Sequence, residues 1–333
     1  MRIKPFAFTL LIFSLSLHLL SCSDGDEMRV LKMSHNLNQQ HPVHAGLLHL
    51  DEKLREISGG RMSIEIYPGA QLGSENQCIE MLQIGSLALT KVSAASLSNF
   101  VNEFKLFGLP YIFESREQFF EIIDGAIGDE LLLSTERYLF RGLGYFDAGA
   151  RSFYTTKKPI LTPEDLKGLK IRVMPNAMAV DMMTAFGGSA TPISVGELYT
   201  ALQSGVVDGA ENNPPTYHTS NDFEVAKHYS INEHAMIPDV LIISNVIWED
   251  LSVQEREWLM EAVDSAEIYE REVWAQQEEE SMRIIQERGV KVYYPDKRPF
   301  IEMVKEQSEL YRDNEDLYRV IEMVKRFKER GEL

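Results

Sequence analysis

Apolar residues along this chain recur alternately at helical spacing and at strand spacing. Val43, Leu47, Leu50 and Leu54 are three or four positions apart, which predicts one buried face of a helix. Shortly afterwards, apolar residues occupy every second position from 62 to 66, which predicts a strand with one buried face. The same alternation of helix and strand continues along the chain.

Four short motifs mark where further helices begin. Each has a serine followed three residues later by glutamine or glutamate, and such a capping box bonds the N–H groups of the first helical turn. They are Ser74 with Gln77, Ser115 with Gln118, Ser194 with Glu197, and Ser252 with Glu255. After the last box, helical spacing continues to Ile285, which predicts one long helix that can brace two parts of a protein.

Short apolar segments between these helices predict strands. They are 30–33, 87–92, 169–173, 206–207 and 290–294. Strands alternating with helices are typical of the α/β class. The segment 81–87 resembles 201–207, since both place a glycine stop and a strand after a capped helix. We therefore expect two similar α/β lobes, each with its own sheet, joined by a hinge around a ligand cleft.

The first residues of the chain predict export. Arg2 and Lys4 precede an apolar segment from 6 to 20, which is the pattern of a secretory signal. Cys22 follows Leu-Leu-Ser, which resembles the cleavage box of a bacterial lipoprotein. We therefore expect residues 1–21 to be a lipoprotein-type signal peptide and Cys22 to be acylated. A plain signal peptide followed by an incidental cysteine is the alternative.

Composition and charge exclude several classes of protein. The chain has 333 residues, of which 44% are hydrophobic and 25% charged, an ordinary globular balance that excludes a disordered chain. It has 33 Lys and Arg against 51 Asp and Glu, so its formal net charge is −18. Such a surface repels phosphate backbones, and we expect no nucleic-acid partner. A small anionic ligand is still possible because a buried site can be locally positive.

Two arginines are candidates for binding an anion. Arg172 lies within the apolar strand 169–173, where an unpaired buried charge would be costly. Arg151 follows another hydrophobic strand, at the apparent change of lobe. A guanidinium offers a planar fork that can hold a carboxylate through two hydrogen bonds. The alternative is that the arginine pairs with a structural Asp or Glu.

Polar residues follow strands at two other places. Lys91 lies at the end of a strand in the lobe opposite Arg172, and Asn212 and Asn213 follow the strand that begins at Val206. The carboxyl ends of strands in open α/β sheets face the ligand crevice, and asparagine can both donate and accept hydrogen bonds. A rigid turn is the alternative explanation of the Asn-Asn-Pro-Pro segment.

Motifs of enzymes and metal sites are absent from the sequence. It contains no G-x-S-x-G, no H-E-x-x-H, no phosphate loop and no GxGxxG. His35, His41, His44 and His49 are close in sequence, but no cysteine or acidic cluster completes a metal site. An enzyme acting on sugar acids would need a general base paired with a nucleophile or metal. We therefore expect no metal, no cofactor and no catalysis.

From about Arg29 to about Phe300 the sequence resembles the substrate-binding proteins of tripartite ATP-independent periplasmic (TRAP) transporters. The segments that carry the resemblance are 71–73, 106–111, Arg151, 165–173, 202–203 and 207–212. The resemblance implies a two-lobed periplasmic binding protein of the α/β class, type II-like, with two sheets, a hinge cleft and a long lobe-spanning helix.

On this basis we divide the chain after the signal peptide between two lobes. The first is expected to hold 28–149 plus 238–277, and the second 150–237 plus 278–330.

The resemblance also implies a ligand and a partner. Arg172 matches the carboxylate-binding arginine of the family, and Arg151 and Asn212 match further binding positions. Proteins of this family deliver an organic acid to a membrane permease that is driven by a sodium gradient, and with few exceptions they need no metal or cofactor. We therefore expect a monomeric periplasmic receptor, held at a membrane through Cys22.

Parts of the chain look like family members that bind sugar acids, especially hexuronates such as D-galacturonate and D-glucuronate. These parts are 41–44, 91–93, 147–154 and 211–215. A hexuronate has one carboxylate and several hydroxyls, which Lys91, Glu75, His41, Asn212 and Asn213 could bind. A C4-dicarboxylate would need a second cation, and Lys91 could supply it, so that ligand class stays open. A receptor that serves a sensor kinase also stays open.

Overall fold

The structure is a computed structural model that describes residues 28–330. The predicted signal peptide and Cys22 lie outside the described residues. Within them the chain forms two β-sheets flanked by helices.

The first sheet has five strands. They are β1 (Arg29–Ser34), β2 (Met62–Tyr67), β3 (Leu89–Ser93), β4 (Phe140–Phe146) and β10 (Asp239–Ser244). Their order across the sheet is β2-β1-β3-β10-β4. Strand β1 is parallel to β2 and β3, whereas β10 is antiparallel to both of its neighbours. The carboxyl ends of β1 and β3 therefore point to the same edge of the sheet.

The second sheet has six strands. They are β5 (Ala150–Thr155), β6 (Lys170–Val173), β7 (Ser189–Pro192), β8 (Gly209–Asn212), β9 (His228–Met236) and β11 (Lys291–Tyr293). Their order is β11-β9-β5-β8-β6-β7. Strand β6 is parallel to β7 and β8, and β5 runs antiparallel between β8 and β9.

Helices cover both sheets. The α-helices are α1 (Pro42–Ile57), α2 (Glu75–Gln83), α3 (Ala94–Leu97), α4 (Arg116–Ile123), α5 (Ala126–Ser134), α6 (Ala177–Ala185), α7 (Val195–Gln203), α8 (Pro214–Thr219), α9 (Asn245–Asp250), α10 (Val253–Glu287), α11 (Arg298–Val304) and α12 (Glu315–Arg330). Short 3-10 helices lie at Asn102–Gly108, Thr135–Tyr138, Pro163–Leu166, Asp222–Glu224 and Gln307–Tyr311.

Most of the elements predicted from the sequence are present near the predicted positions. The capping boxes at the starts of α2 and α10 form both of their bonds. At the start of α4, Ser115 accepts a hydrogen bond from the backbone N–H of Gln118. The prediction of a capping box at Ser194 was wrong. Helix α7 begins directly after this residue, but its side chain makes no capping hydrogen bond.

The strands after α2 and α7 begin later than predicted, for the same reason in both lobes. The backbone N–H groups of Val206 and Val207 donate to the carbonyl of Ala201 at 3.0 and 3.3 Å, which keeps them in the last turn of the helix. The corresponding residues after α2 donate in the same way to Met81. The two similar sequence segments thus form the same kind of helix end.

Helix α10 contributes to the hydrophobic cores of both sheets. Leu259, Val263 and Trp274 are buried with residues of α1 and of the first sheet. Ile285, near the other end of the helix, is buried with residues of α8 and of the second sheet. The predicted long helix that spans both lobes is therefore confirmed.

The C-terminal helix packs beside the first sheet. Leu317 and Val320 of α12 are buried in one cluster with Phe104 and Phe107, which precede β4. The same cluster also holds Phe153 and Ile171 of the second sheet. The predicted division, which placed 278–330 with the second lobe, therefore stays a prediction, as do the other lobe boundaries.

A close approach between α1 and α10 generates a first prediction. A methyl group at Gly46 would lie 2.8 Å from Glu270 Cγ and from Phe146 Cε2. Because these atoms belong to buried side chains with little room to move, we expect Gly46→Ala to lower the free energy of unfolding by about 1–3 kcal/mol. Denaturant unfolding measures it. Gly196→Ala is the control, since a methyl at this α7 position meets nothing within 4 Å; equal stability of the two variants would contradict the prediction.

A carboxyl group on α10 generates a prediction about pH. Burial raises the pKa of Glu267 to about 7, above its ordinary value of 4.5. The folded state therefore binds this proton more tightly, and the associated stability is lost as pH rises through about 7. Glutamine at this position cannot titrate. The difference in the free energy of unfolding between Glu267→Gln and wild type should therefore shift by up to about 3 kcal/mol in favour of the variant from pH 4.5 to pH 8. Urea unfolding at both pH values tests this, and the exposed Glu261→Gln should show no such gain.

Candidate functional site

Residues from both sheets line one cavity of about 590 Å³. It lies where the carboxyl ends of β3, β6 and β8 meet, the usual place for a ligand in open α/β sheets. All seven residues that the sequence suggested for ligand binding line this cavity: Arg172, Arg151, Asn212, Lys91, Glu75, His41 and Asn213. Some of these side chains have N–H groups that are free to bind a ligand. Others are already hydrogen-bonded within the protein.

Arg172 is buried, with 2% of its surface exposed, on β6 between β7 and β8 of the second sheet. Its Nε donates to the carbonyl of Ile193 at 2.6 Å. Among the described residues no hydrogen bond or ion pair engages its two terminal nitrogens. Burial lowers the pKa of this guanidinium, but arginine stays protonated in proteins. The two terminal nitrogens of this charged guanidinium therefore face the cavity without an ion pair among the described residues, and a ligand anion there would offset the cost of burying the charge.

Arg151 is buried beside Arg172 but is already paired. Its Nε donates to the carboxylate of Glu211, and its second terminal nitrogen donates to the same carboxylate at 3.0 Å and to the Glu211 carbonyl at 2.8 Å. The other terminal nitrogen donates to Asn212 Oδ1 at 2.9 Å, so at most one N–H remains for a ligand. Pairing with a structural carboxylate, the alternative considered for the arginines, is therefore observed for Arg151 and not for Arg172.

The carboxylate of Glu211 is held ionised by its neighbours. Burial alone would raise its pKa, but Arg151 and His234 outweigh burial and bring the pKa to about 2. The ion pair therefore cancels the charge of Arg151 throughout the neutral pH range. Of the two arginines, Arg172 is the one whose charge is left without an ion pair among the described residues.

The two asparagines differ in what they can still bind. Asn212 Oδ1 accepts from Arg151 and from the backbone N–H of Asn213, whereas its Nδ2 has no partner among the described residues and can donate to a ligand. Asn213 uses both ends of its side chain within the protein. Its Oδ1 accepts from the Thr216 N–H and caps α8, and its Nδ2 donates to the Ala148 carbonyl at 2.9 Å. Asn213 therefore positions the loop.

Lys91 faces the cavity from the first sheet and is surrounded by acceptors. Its Nζ lies 3.1 Å from Asp239 Oδ2, 3.3 Å from Asn36 Oδ1 and 3.5 Å from Glu75 Oε1. Burial lowers its pKa, but the two carboxylates outweigh burial and the net pKa is raised. Because an ammonium has three N–H groups and three acceptors lie within 3.5 Å of it, Lys91 is already occupied within the protein. This geometry does not favour the second-cation role suggested for it.

Glu75 is held in place by bonds other than the one to Lys91. Its Oε1 accepts from the Ser93 N–H at 3.1 Å, and its Oε2 accepts from the Ser96 hydroxyl at 2.5 Å. A carboxylate has about four acceptor positions, so roughly one remains for a ligand hydroxyl. Asp239 accepts from Lys91 alone among the described residues, and more of its acceptor capacity is free.

His41 connects the two sides of the cavity as a neutral side chain. Its Nδ1 accepts from the Val43 N–H and caps α1, so the ring proton is on Nε2, which donates to Thr216 Oγ1 at 3.1 Å. Burial keeps the pKa of His41 well below its usual range, which agrees with a neutral ring. This bond crosses from α1 to α8 and contributes to the alignment of the cavity walls.

Two important site residues were missed from the sequence. Glu211 lies in β8, whose residues are all buried, and an acidic residue in such a strand signals a cation nearby. Asp239 begins β10 and has no local signal, because its partner Lys91 is far away in the sequence. The role of each residue is visible only in the structure, because its cationic partner lies on a strand that is distant in the sequence.

The described part of the chain shows neither a metal-binding cluster nor a membrane-spanning helix. Within residues 28–330, no three His, Cys, Asp or Glu side chains are grouped in a way that could hold a metal ion. None of the helices in that range is both long enough and apolar enough to cross a membrane.

Comparison with known proteins places the chain in a family. The model for DctP, the bacterial extracellular solute-binding protein family 7, matches residues 33–314. A TRAP periplasmic solute binding protein from Xanthobacter autotrophicus Py2, solved with bound β-D-galacturonate, is 34% identical with a TM-score of 0.86 and covers 89% of this chain and 99% of that chain. One from Anaerococcus prevotii, solved with bound α/β-D-glucuronate, is 35% identical with a TM-score of 0.87 and covers 91% and 99%.

A relative described as a solute-binding protein, from Chromohalobacter salexigens, is 36% identical over 241 residues, which are 72% of each chain. The family match spans the cavity, all of α10 and both sheets except for the first residues of β1. This chain therefore belongs to the DctP family of TRAP solute-binding proteins.

Proposed function

We propose that this protein is the periplasmic receptor of a TRAP transporter and that it binds a hexuronate, D-galacturonate or D-glucuronate, in the cavity around Arg172. The observation that carries the proposal is the buried guanidinium, whose terminal nitrogens have no partner among the described residues. A ligand carboxylate would supply the missing anion through two charge-assisted hydrogen bonds. The protein acts as a receptor and performs no catalysis.

The remaining polar groups of the cavity suit hydroxyls. Asn212 Nδ2 is a free donor, while Asp239 and Glu75 retain acceptor positions. A hexuronate combines one carboxylate with several hydroxyls that each donate and accept, so it matches one cation surrounded by neutral donors and acidic acceptors. The solved relatives with bound galacturonate and glucuronate support the same ligand class.

Ligand binding is coupled to the arrangement of the two lobes. Asn38 Nδ2 donates to the Thr219 carbonyl at 2.7 Å, beside the bond from His41 to Thr216. Asn99 Nδ2 donates to the Pro175 carbonyl at 3.2 Å at another edge of the cavity. We infer that a ligand held between the lobes favours this closed arrangement, which a TRAP permease in the membrane then recognises. The receptor works as a monomer.

Replacement of Arg172 tests the ligand site. We expect Arg172→Ala to weaken hexuronate binding by at least about 100-fold, because the ligand carboxylate loses its only free cation. Calorimetry with galacturonate and glucuronate measures it, after a thermal-shift screen that also contains gluconate, succinate, pyruvate and sialic acid. Arg298→Ala is the control, since that side chain is exposed and pairs with Asp296.

Near wild-type affinity in Arg172→Ala would contradict the assignment, provided that the ligand-free variant still unfolds cooperatively. A thermal shift with succinate and none with the hexuronates would favour the C4-dicarboxylate alternative over the sugar acid.

Lipid attachment at Cys22 is a separate part of the proposal and depends on the sequence alone. Acyl chains on the mature N-terminus would hold the receptor at a membrane facing the periplasm. In a bacterial host, Cys22→Ser should move the protein from the membrane fraction to the soluble fraction and abolish labelling with an alkyne fatty acid. Cys78→Ser, which changes a buried cysteine, should keep both properties. An unlabelled wild type would refute the anchor.

A further inference from the structure

Glu75, Lys91 and Asp239 form one side of the ligand cavity, which we call the acidic wall. It holds two carboxylates and one ammonium, and all three side chains are largely buried. We propose that the acidic wall excludes ligands with a second carboxylate, so that the receptor accepts hexuronates and rejects hexarates of the same carbon number. This inference rests on the proposed function and names the feature of the same site that selects among acids.

The first step is the number of cations that a ligand can reach. The Lys and Arg side chains that line the cavity, within the part of the chain that the structure describes, are Lys91, Arg151 and Arg172. Arg151 is neutralised by Glu211, and Lys91 Nζ lies within 3.5 Å of acceptors on Asp239, Asn36 and Glu75. Arg172 is therefore the one cation available, and a single carboxylate saturates its fork.

The second step is the cost of placing another carboxylate against the acidic wall. Glu75 and Asp239 outnumber Lys91, so the wall repels an added negative charge. The side chains are 2–11% exposed, and water screens such repulsion far less than it does at a protein surface. A ligand hydroxyl at the same place instead donates to a carboxylate oxygen. Charge repulsion of this kind is a common way to discriminate between similar ligands.

The third step is that Glu75 can be neutralised without losing its contacts. In Glu75→Gln, the remaining oxygen can accept from Lys91 and from the Ser93 N–H, while the new NH₂ group can donate to the Ser96 hydroxyl. The substitution removes one charge and keeps the shape. Asp239→Asn is a second variant that removes the other charge of the wall.

The experiment compares galacturonate with galactarate, which carries a second carboxylate, by calorimetry at pH 7.5 in wild type and variants. We expect wild type to prefer galacturonate by at least about 100-fold, and Glu75→Gln or Asp239→Asn to reduce this preference at least about tenfold through tighter galactarate binding. Galacturonate is a ring and galactarate an open chain, but this difference is common to all the proteins and cancels in the change of preference. Glu80→Gln, an exposed carboxylate on the same helix, is the matched control and should leave the preference unchanged.

The outcomes separate the two proposals. If wild type binds both acids equally, the inference fails while the receptor function stands. If wild type prefers galacturonate but neither variant gains affinity for galactarate, the wall is not the cause and the inference also fails. If wild type binds neither galactarate nor either hexuronate, galacturonate or glucuronate, the proposed function fails and the inference fails with it. A parallel loss of affinity for both ligands in Glu75→Gln would show a structural role and would count against the inference.

Discussion

The rest of this structure is organised around one unneutralised guanidinium. Arg172 lies on β6, between β7 and β8, and its Nε is bonded to the Ile193 carbonyl, so the strand and one backbone bond hold the fork in a single orientation. A buried charge of this kind is unfavourable in the ligand-free protein. In the proposed function, a ligand carboxylate removes that cost, and the free energy gained contributes to affinity. The neighbouring Arg151 is cancelled by Glu211, so a single charge defines where the carboxylate goes.

The two sheets contribute different chemistry to one cavity. The second sheet supplies the cation and the donor of Asn212, whereas the first supplies the acidic wall. Neither side alone matches a sugar acid, so binding requires that the lobes approach each other. Helix α10 belongs to both cores, and the bonds from Asn38 and His41 to α8 join the lobes beside the cavity. In the proposed function, ligand recognition and the approach of the two lobes are therefore one equilibrium.

Helix α10 carries buried carboxyl groups where it contacts the first lobe. Glu270 Oε2 accepts from the Asp147 N–H at 2.9 Å, and burial raises the pKa of Glu270 well above its usual range. Burial thus favours the neutral form of this carboxyl group, whose Oε2 bonds the segment that joins the two sheets. The close approach of α1 to Glu270, made possible by Gly46, keeps this region tightly packed.

The sequence by itself determined the local elements and the chemical type of the site. Helical spacing and capping serines located α1, α2 and α10, because these signals depend on residues three or four positions apart. The family resemblance singled out Arg172, Arg151 and Asn212. Tertiary structure alone decided which charges are free. Arg151 is cancelled by a residue 60 positions away, and Lys91 is occupied by Glu75 and by Asp239 on a distant strand. Local patterns cannot show such pairings, because electrostatic neutralisation depends on distances that exist only after the strands are assembled into sheets.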